Sequence, residues 1–137
     1  MGEKESTRTE FTVGFGLTFN NYYANFPSKT ADLVDDFIEH FEQYGFLGWK
    51  GKISPSDRVP LNNPNRQALI AKAEKFNLWH VHIGDPHWQT PFHGKYLTSD
   101  WVLHFSKISN YHIVLLELDS HNPLTLPSDK ICEEGEG

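Results

Sequence analysis

The sequence is poor in cysteine and in long apolar runs. Cys132 is the single cysteine among 137 residues, so one chain can form neither an internal disulfide nor a cysteine-based zinc site. No run approaches the roughly 18 apolar residues that a membrane helix requires. The first ten residues, MGEKESTRTE, are too polar for the apolar core of a secretory signal. We therefore expect a cytoplasmic protein that does not associate with membranes.

Positive charge is also scarce. Twelve Lys and Arg stand against eighteen Asp and Glu, a net charge of −6, and this balance argues against nucleic-acid binding through the overall field of the protein. The acidity is local, because five carboxylates lie in residues 28–44 and four in residues 128–137. Residues 45–127 hold eight Lys and Arg against six Asp and Glu, with seven of the eight histidines. This middle region is mildly basic and permits an RNA partner.

The hydrophobic pattern of the first half predicts a strand followed by a helix. Apolar residues alternate with Thr and Gly over residues 11–19, which predicts the first strand. Its two glycines indicate a bulge or a close approach of another backbone. Residues 20–28 contain a proline and predict a turn. The apolar spacing of residues 33–41 then predicts a helix that ends before Gly45, with its five carboxylates in solvent.

The second half predicts a loop, a helix and three strands. Residues 45–63 are rich in Gly and Pro and predict a loop. Asn63 as a cap, with proline after it, predicts a helix that runs to about Phe76. Segments rich in β-branched and aromatic residues then predict consecutive antiparallel strands over 78–83, 96–105 and 111–118.

Together these elements predict one α+β domain over residues 1–127 and an acidic, disordered tail over residues 128–137. The predicted antiparallel sheet consists of the N-terminal strand and the C-terminal three-strand meander. Because the helices come early and the meander late, we expect both helices to pack on one face of this sheet. The other face would then be free for a ligand.

Strand alternation brings several histidines to one face. His80 and His82 share a face of their strand, and His104 lies opposite the apolar set of its own strand. In the last strand the less apolar face carries Glu117 and His121. Such a set beside Lys and Arg suits RNA cleavage, which needs a base for the 2′-hydroxyl proton, cations for the phosphate and an acid for the leaving oxygen. Imidazole can serve either proton-transfer role near neutral pH.

Other functions fit the same residues. His80 and His82 could form a zinc site with an open position if His87, His93 or His104 supplied the third ligand. The histidines could equally be structural in a non-catalytic binding module whose acidic helix or tail docks a basic partner.

The four tryptophans divide by their position. Trp79 and Trp101 fall on apolar strand faces and are expected in the core. Trp88 and Trp49 lie in loops and are expected as exposed platforms on which RNA bases stack.

Three segments of the second half carry a family resemblance. LWHVHI, YLTSDWVLHFSKI and HIVLLELDSHNP resemble the C-terminal half of YafO-type toxins, which belong to the wider RelE-like group of bacterial type II toxin–antitoxin systems. The shared pattern is a strand with His-x-His, a Thr-Ser-Asp-like turn into a strand ending in a hydrophobic-His pair, and an apolar strand that reaches an Asp/Pro-His region. The front of the chain also fits, with FTVGFGLTF before the helix TADLVDDFIEHFEQYG.

The resemblance implies a RelE-like sheet and a ribosome-dependent mRNA endoribonuclease, which cleaves in the ribosomal A site through the 2′-hydroxyl without a metal or other cofactor. Its implied partners are mRNA, the ribosome and a cognate antitoxin, and the toxin alone is not expected to bind DNA. The candidate catalytic residues are His80, His82, His104, Glu117 and His121. The candidate RNA-binding residues are Lys50, Lys52, Arg58, Trp88, Lys95 and Lys107. This chain departs from the group in its net acidity and in lacking an arginine-rich strand.

Overall fold

A five-stranded mixed sheet forms the centre of the fold. The computed structural model describes residues 10–91, 94–121 and 124–136. The strands are β1 (Thr12–Phe15), β2 (Ile53–Pro55), β3 (Leu78–Asp85), β4 (Trp101–Lys107) and β5 (His112–Ser120), in the order β1-β5-β4-β3-β2. The helices are α1 (Leu17–Tyr23), α2 (Ser28–Tyr44), α3 (Arg66–Lys75) and α4 (Asp129–Glu133). Within the described ranges, no helix has the length and apolarity needed to cross a membrane.

The predicted meander is confirmed, whereas the predicted all-antiparallel sheet is wrong. Strands β3, β4 and β5 pair antiparallel in sequence order, and β2 joins β3 antiparallel within the segment predicted as a loop. Strand β1 pairs parallel with β5, with Thr12 opposite His112. The reason is topological. Helices α1 and α2 carry the chain from β1 at one edge of the sheet to β2 at the other.

The first strand is shorter than predicted. It ends at Phe15, and α1 occupies part of the segment assigned to the strand and the turn. Phe19 and Tyr23 lie four residues apart in α1, so their rings share one face of this helix. Phe15, at the end of β1, packs against both rings. The ring centroids of Phe15 lie 5.4 Å from Phe19 and 5.1 Å from Tyr23. Helix formation thus buries Phe19 completely and overrides the alternation seen in the sequence.

The predicted amphipathic helix is confirmed as α2. It buries Val34, Phe37 and Phe41 and ends at Gly45, whose φ of 66° favours glycine. These side chains meet one face of the sheet in the main core. Its fully buried sheet residues include Val81, Leu103, Phe105, Ile113 and Leu115.

The sheet is covered on both faces, which contradicts the prediction that both helices pack on one. Ala73 of α3 and Cys132 of α4 pack with Leu78, Val114 and Leu116 in a second cluster. Leu78 precedes the main-core residues of β3 by odd steps, so this cluster lies on the opposite face. A second layer forms because these sheet side chains are apolar and need burial.

The segment predicted as an acidic tail contains the short helix α4. The Ser128 side chain caps α4 by accepting the Ile131 N–H. The Glu134 carboxylate accepts the backbone N–H and the hydroxyl of Thr18, at 3.1 and 2.7 Å, in the first turn of α1. An acidic side chain at a helix N-terminus is favourable. The Glu134 carboxylate of this segment is therefore hydrogen-bonded to Thr18 of α1.

Gly51 sets how closely the β2 edge approaches β3. A Cβ at this position would lie 2.1 Å from the His82 carbonyl oxygen and 2.8 Å from the Trp49 indole nitrogen. Replacing Gly51 with Ala is therefore expected to destabilise the protein by about 3 kcal/mol or more, measured by urea unfolding. Gly94→Ala is the control, because nothing lies within 4 Å of its Cβ position and only its positive φ costs roughly 1 kcal/mol. Equal losses in the two variants would contradict the close contact.

Candidate functional site

Four histidines meet on the face of the sheet that carries α3. Strand β3 places His80 and His82 on that face, and the register sets His80 beside His104 of β4. His121 follows β5 and completes the set. The ring centroid of His121 lies 5.6 Å from His80 and 4.9 Å from His82, and that of His104 lies 6.1 Å from His80. We call His80, His82, His104 and His121 the histidine cluster.

The cluster confirms the predicted sharing of a face but not the predicted exposure. His80, His82 and His104 have exposed fractions of 6%, 3% and 0%, whereas His121 is half-buried. The face was expected to be free, yet α3, α4 and the segment after β2 cover much of it. His104 is therefore closed to a substrate, whereas His80, His82 and His121 each line a cavity.

Hydrogen bonds to the Nδ1 atoms fix the rings of His80 and His82. The Nδ1 atom of His80 lies 2.9 Å from the Ser56 hydroxyl. The Nδ1 atom of His82 lies 2.9 Å from both the amide nitrogen and the carbonyl oxygen of Ser99, so either tautomer finds a partner there. Both ring nitrogens of His104 are buried without a hydrogen-bond partner in the described part of the chain. Such a pair of atoms carries an unrecovered desolvation cost.

Burial keeps the cluster uncharged at neutral pH. It lowers the pKa of His80 to about 3, with further lowering by the neighbouring imidazoles, and it lowers the pKa of both His82 and His104 to about 4. The pKa of His121 is also lowered, by burial first and by the nearby charge of Lys52 second. A neutral imidazole has a free lone pair that can accept a proton, but burial that lowers its pKa also makes it a weaker base. The strongly shifted His80, His82 and His104 are therefore poor general bases at neutral pH.

A groove of about 450 Å³ opens beside His80 and His121. We call it the cationic groove, and its lining includes Lys52, Ser54, Ser56, Arg58, His80 and His121. The two serines were not predicted as site residues. Lys52, Ser54, Ser56 and Arg58 recur at every second position, a spacing that indicates one face of an extended segment and could have identified them.

His121 also lines a second pocket. It has a volume of about 430 Å³, and its lining includes His82, Gln89, Asp100, Trp101 and His121. His121 therefore borders both cavities.

Glu117 is paired with His104 across β4 and β5. Opposed residues of an antiparallel pair share a face of the sheet, so Glu117 lies on the same face as the histidine cluster. Burial raises the pKa of Glu117, and the charge of Asp119 raises it further, whereas Lys72 of α3 lowers it. The carboxylate that raises the pKa of His104 is Asp119.

Several predicted RNA-binding residues lie outside the cationic groove, whereas Lys52 and Arg58 line it. Lys50 lies over the ring of Trp88, 5.1 Å from its centroid, in a pocket lined by α2. Lys107 lies over Trp79 at 4.4 Å, and Lys95 over Tyr96 at 5.4 Å.

Two of the tryptophan expectations are also wrong. Trp49 is buried in the main core, where its indole N–H donates to the His82 carbonyl oxygen. Trp101 is the first residue of β4 and is 41% exposed.

Among the described residues, no group of three or more His, Cys, Asp or Glu side chains is arranged to hold a metal ion. Comparisons with protein-family models, with curated proteins and with solved structures found no match to this chain.

Proposed function

We propose that this protein is a RelE-like toxin of a type II toxin–antitoxin system, an endoribonuclease that cleaves mRNA without a metal. The observation that carries the proposal is the cationic groove. It brings the neutral imidazole of His121 together with two cationic side chains, Lys52 and Arg58. The proposed partners are mRNA, the ribosome and a cognate antitoxin, and the proposed location is the cytoplasm.

The groove contains the groups that the reaction needs. In the proposed step the 2′ oxygen attacks the adjacent phosphorus, the bond from phosphorus to the 5′ oxygen breaks, and a 2′,3′-cyclic phosphate and a 5′-hydroxyl form. His121 takes the proton of the 2′-hydroxyl, while Lys52 and Arg58 stabilise the negative charge that develops on the phosphate oxygens. The leaving 5′ oxygen takes its proton from water, to which the groove is open.

The distribution of charge supports access for RNA despite the net charge of −6. The five carboxylates of residues 28–44 belong to α2, which packs on the main-core face. The cationic groove lies on the opposite side with the histidine cluster. An approaching phosphate therefore meets Lys52 and Arg58 with the acidic helix on the far side of the sheet.

Expression without an antitoxin tests the proposal. Induction of the wild-type chain in a bacterial host is expected to arrest growth, with cleavage sites on translated mRNA mapped by primer extension. Replacing both Lys52 and Arg58 with Ala is expected to lower the cleavage rate by about 100-fold or more, because removing one donor to a developing oxyanion already costs that much.

The matched control is Lys29→Ala with Lys130→Ala, which removes the same charge outside the groove. Wild-type growth at normal rate, with the folded protein present, would overturn the proposal. That result would favour the binding module, in which the buried histidines are structural.

A further inference from the structure

Backbone hydrogen bonds join the residues that line the second pocket, which His121 borders. We call it the Asp100 pocket. The backbone N–H of His121 donates to the Asp100 carbonyl oxygen at 2.7 Å. Gln89 and Thr98 exchange two backbone hydrogen bonds, at 2.8 and 3.0 Å. His121, the proposed general base, is therefore joined to the wall of this pocket through the backbone. A ligand in the pocket consequently has a defined position relative to His121.

The polar groups of the pocket form an ordered pair. The side-chain amide nitrogen of Gln89 donates to Oδ1 of Asp100 at 2.9 Å. A carboxylate accepts hydrogen bonds only, so it fixes the Gln89 amide with its NH₂ group towards Asp100. The second hydrogen of that NH₂ group is a further donor, and the other oxygen of Asp100 is a further acceptor.

Trp101 adds an aromatic surface to this pair. Its side chain lines the pocket and is 41% exposed. Single-stranded bases commonly stack on such aromatic rings while their edges form hydrogen bonds. The pocket therefore combines a stacking surface with a further donor and a further acceptor.

We propose that the Asp100 pocket holds the RNA base next to the phosphate that is cleaved, and that it prefers a keto base, guanine or uracil. This inference rests on the proposed function, since His121 borders both the pocket and the cationic groove. Guanine and uracil each present a ring N–H beside a carbonyl oxygen. The N–H donates to Asp100, and the carbonyl oxygen accepts from Gln89. Adenine and cytosine carry the donor and the acceptor in the reverse order along the same edge, so they would form this pair of contacts only with the base turned over.

Binding of nucleoside monophosphates tests the preference without any cleavage step. The four ribonucleoside 3′-monophosphates are titrated into the wild-type protein, and the indole N–H resonance of Trp101 is followed by NMR. GMP and UMP are expected to bind about tenfold or more tightly than AMP and CMP, since a paired hydrogen-bond contact discriminates bases by about this factor. Asp100→Asn is expected to remove most of this preference.

Two further variants complete the design. Asp36→Asn makes the same change on the exposed face of α2 and is expected to keep the wild-type preference. Gln89→Leu removes the donor to the carbonyl oxygen and serves the same purpose if Asp100→Asn does not fold. Equal binding of the four nucleotides, or a keto preference that persists in both pocket variants, would overturn the inference.

The two proposals fail in different ways. Tighter binding of GMP and UMP by a protein that cleaves no mRNA would contradict the proposed function. Cleavage of mRNA with no nucleobase preference, together with equal binding of the four nucleotides, would contradict the proposed role of the Asp100 pocket. The proposed function would remain intact.

Discussion

Replacing His121 with alanine is expected to abolish growth arrest and to lower the rate of mRNA cleavage by at least about 100-fold, the usual contribution of a positioned general base. His121 is the half-buried member of the histidine cluster and borders both the cationic groove and the Asp100 pocket. Burial and Lys52 lower its pKa, so the proton-accepting form predominates at pH 7. The measurement is the cleavage rate of a reporter mRNA in a translation extract.

His87 provides the matched control for this prediction. It is an exposed histidine in the loop after β3, and His87→Ala is expected to retain the wild-type rate. His121→Asn keeps a polar side chain without its proton affinity and is expected to behave like His121→Ala. A folded His121→Ala protein that cleaves mRNA at the wild-type rate would show that another group is the base.

Mild acid is expected to destabilise the protein strongly. The folded-state pKa is about 3 for His80 and about 4 for His82 and His104, against an ordinary value of 6.5. The unfolded chain therefore binds more protons below pH 6.5, so the free energy of unfolding falls from about pH 6.5 to about pH 4. One pKa unit on one group corresponds to about 1.4 kcal/mol. The expected loss is thus on the order of several kcal/mol, a large part of the roughly 5–15 kcal/mol that stabilises a domain.

Urea unfolding at a series of pH values measures this effect. The raised pKa values of Asp85 and Glu117 act in the opposite direction, because these carboxyls bind protons in the folded state before they do in the unfolded chain. A free energy of unfolding that stays constant between pH 6.5 and pH 4.5 would contradict the prediction.

A His104→Leu variant isolates the buried ring. Both nitrogens of His104 lack a hydrogen-bond partner within the described residues, and an unpaired buried polar group costs about 1–3 kcal/mol. The variant is expected to be as stable as wild type at pH 7, or more stable by up to that amount. It is also expected to lose less stability in acid. His87→Leu at the surface is the control and is expected to keep the wild-type acid dependence.

The sequence predicted the elements whose periodicity is strong. The apolar stripe of α2 and the β-rich segments of the meander correspond to the observed helix and strands. The segment 17–19 was assigned to a strand because its residues continue a two-residue alternation. Phe15, Phe19 and Tyr23 also fit a four-residue repeat, and burial of Phe19 decides for the helix. Two periods coexist in one segment, so tertiary packing has to choose between them.

The candidate site shows a similar limit. Alternation correctly placed His80, His82 and His104 on one face. Their burial was not predictable, because α3 buries only Ala73 and has no clear apolar stripe to show which face it covers. The register shift between His104 and Phe105 is likewise absent from the pattern of the sequence.

The parallel pairing of β1 with β5 has a consequence for how the chain matures. Thr12 is hydrogen-bonded into the sheet opposite His112, a partner made 100 residues later. The edge strand β1 therefore docks only after β5 has been synthesised, and such distant pairings fold slowly. An enzyme with the proposed activity would thus complete its sheet only after the part of its message that encodes β1 to β5 had been read.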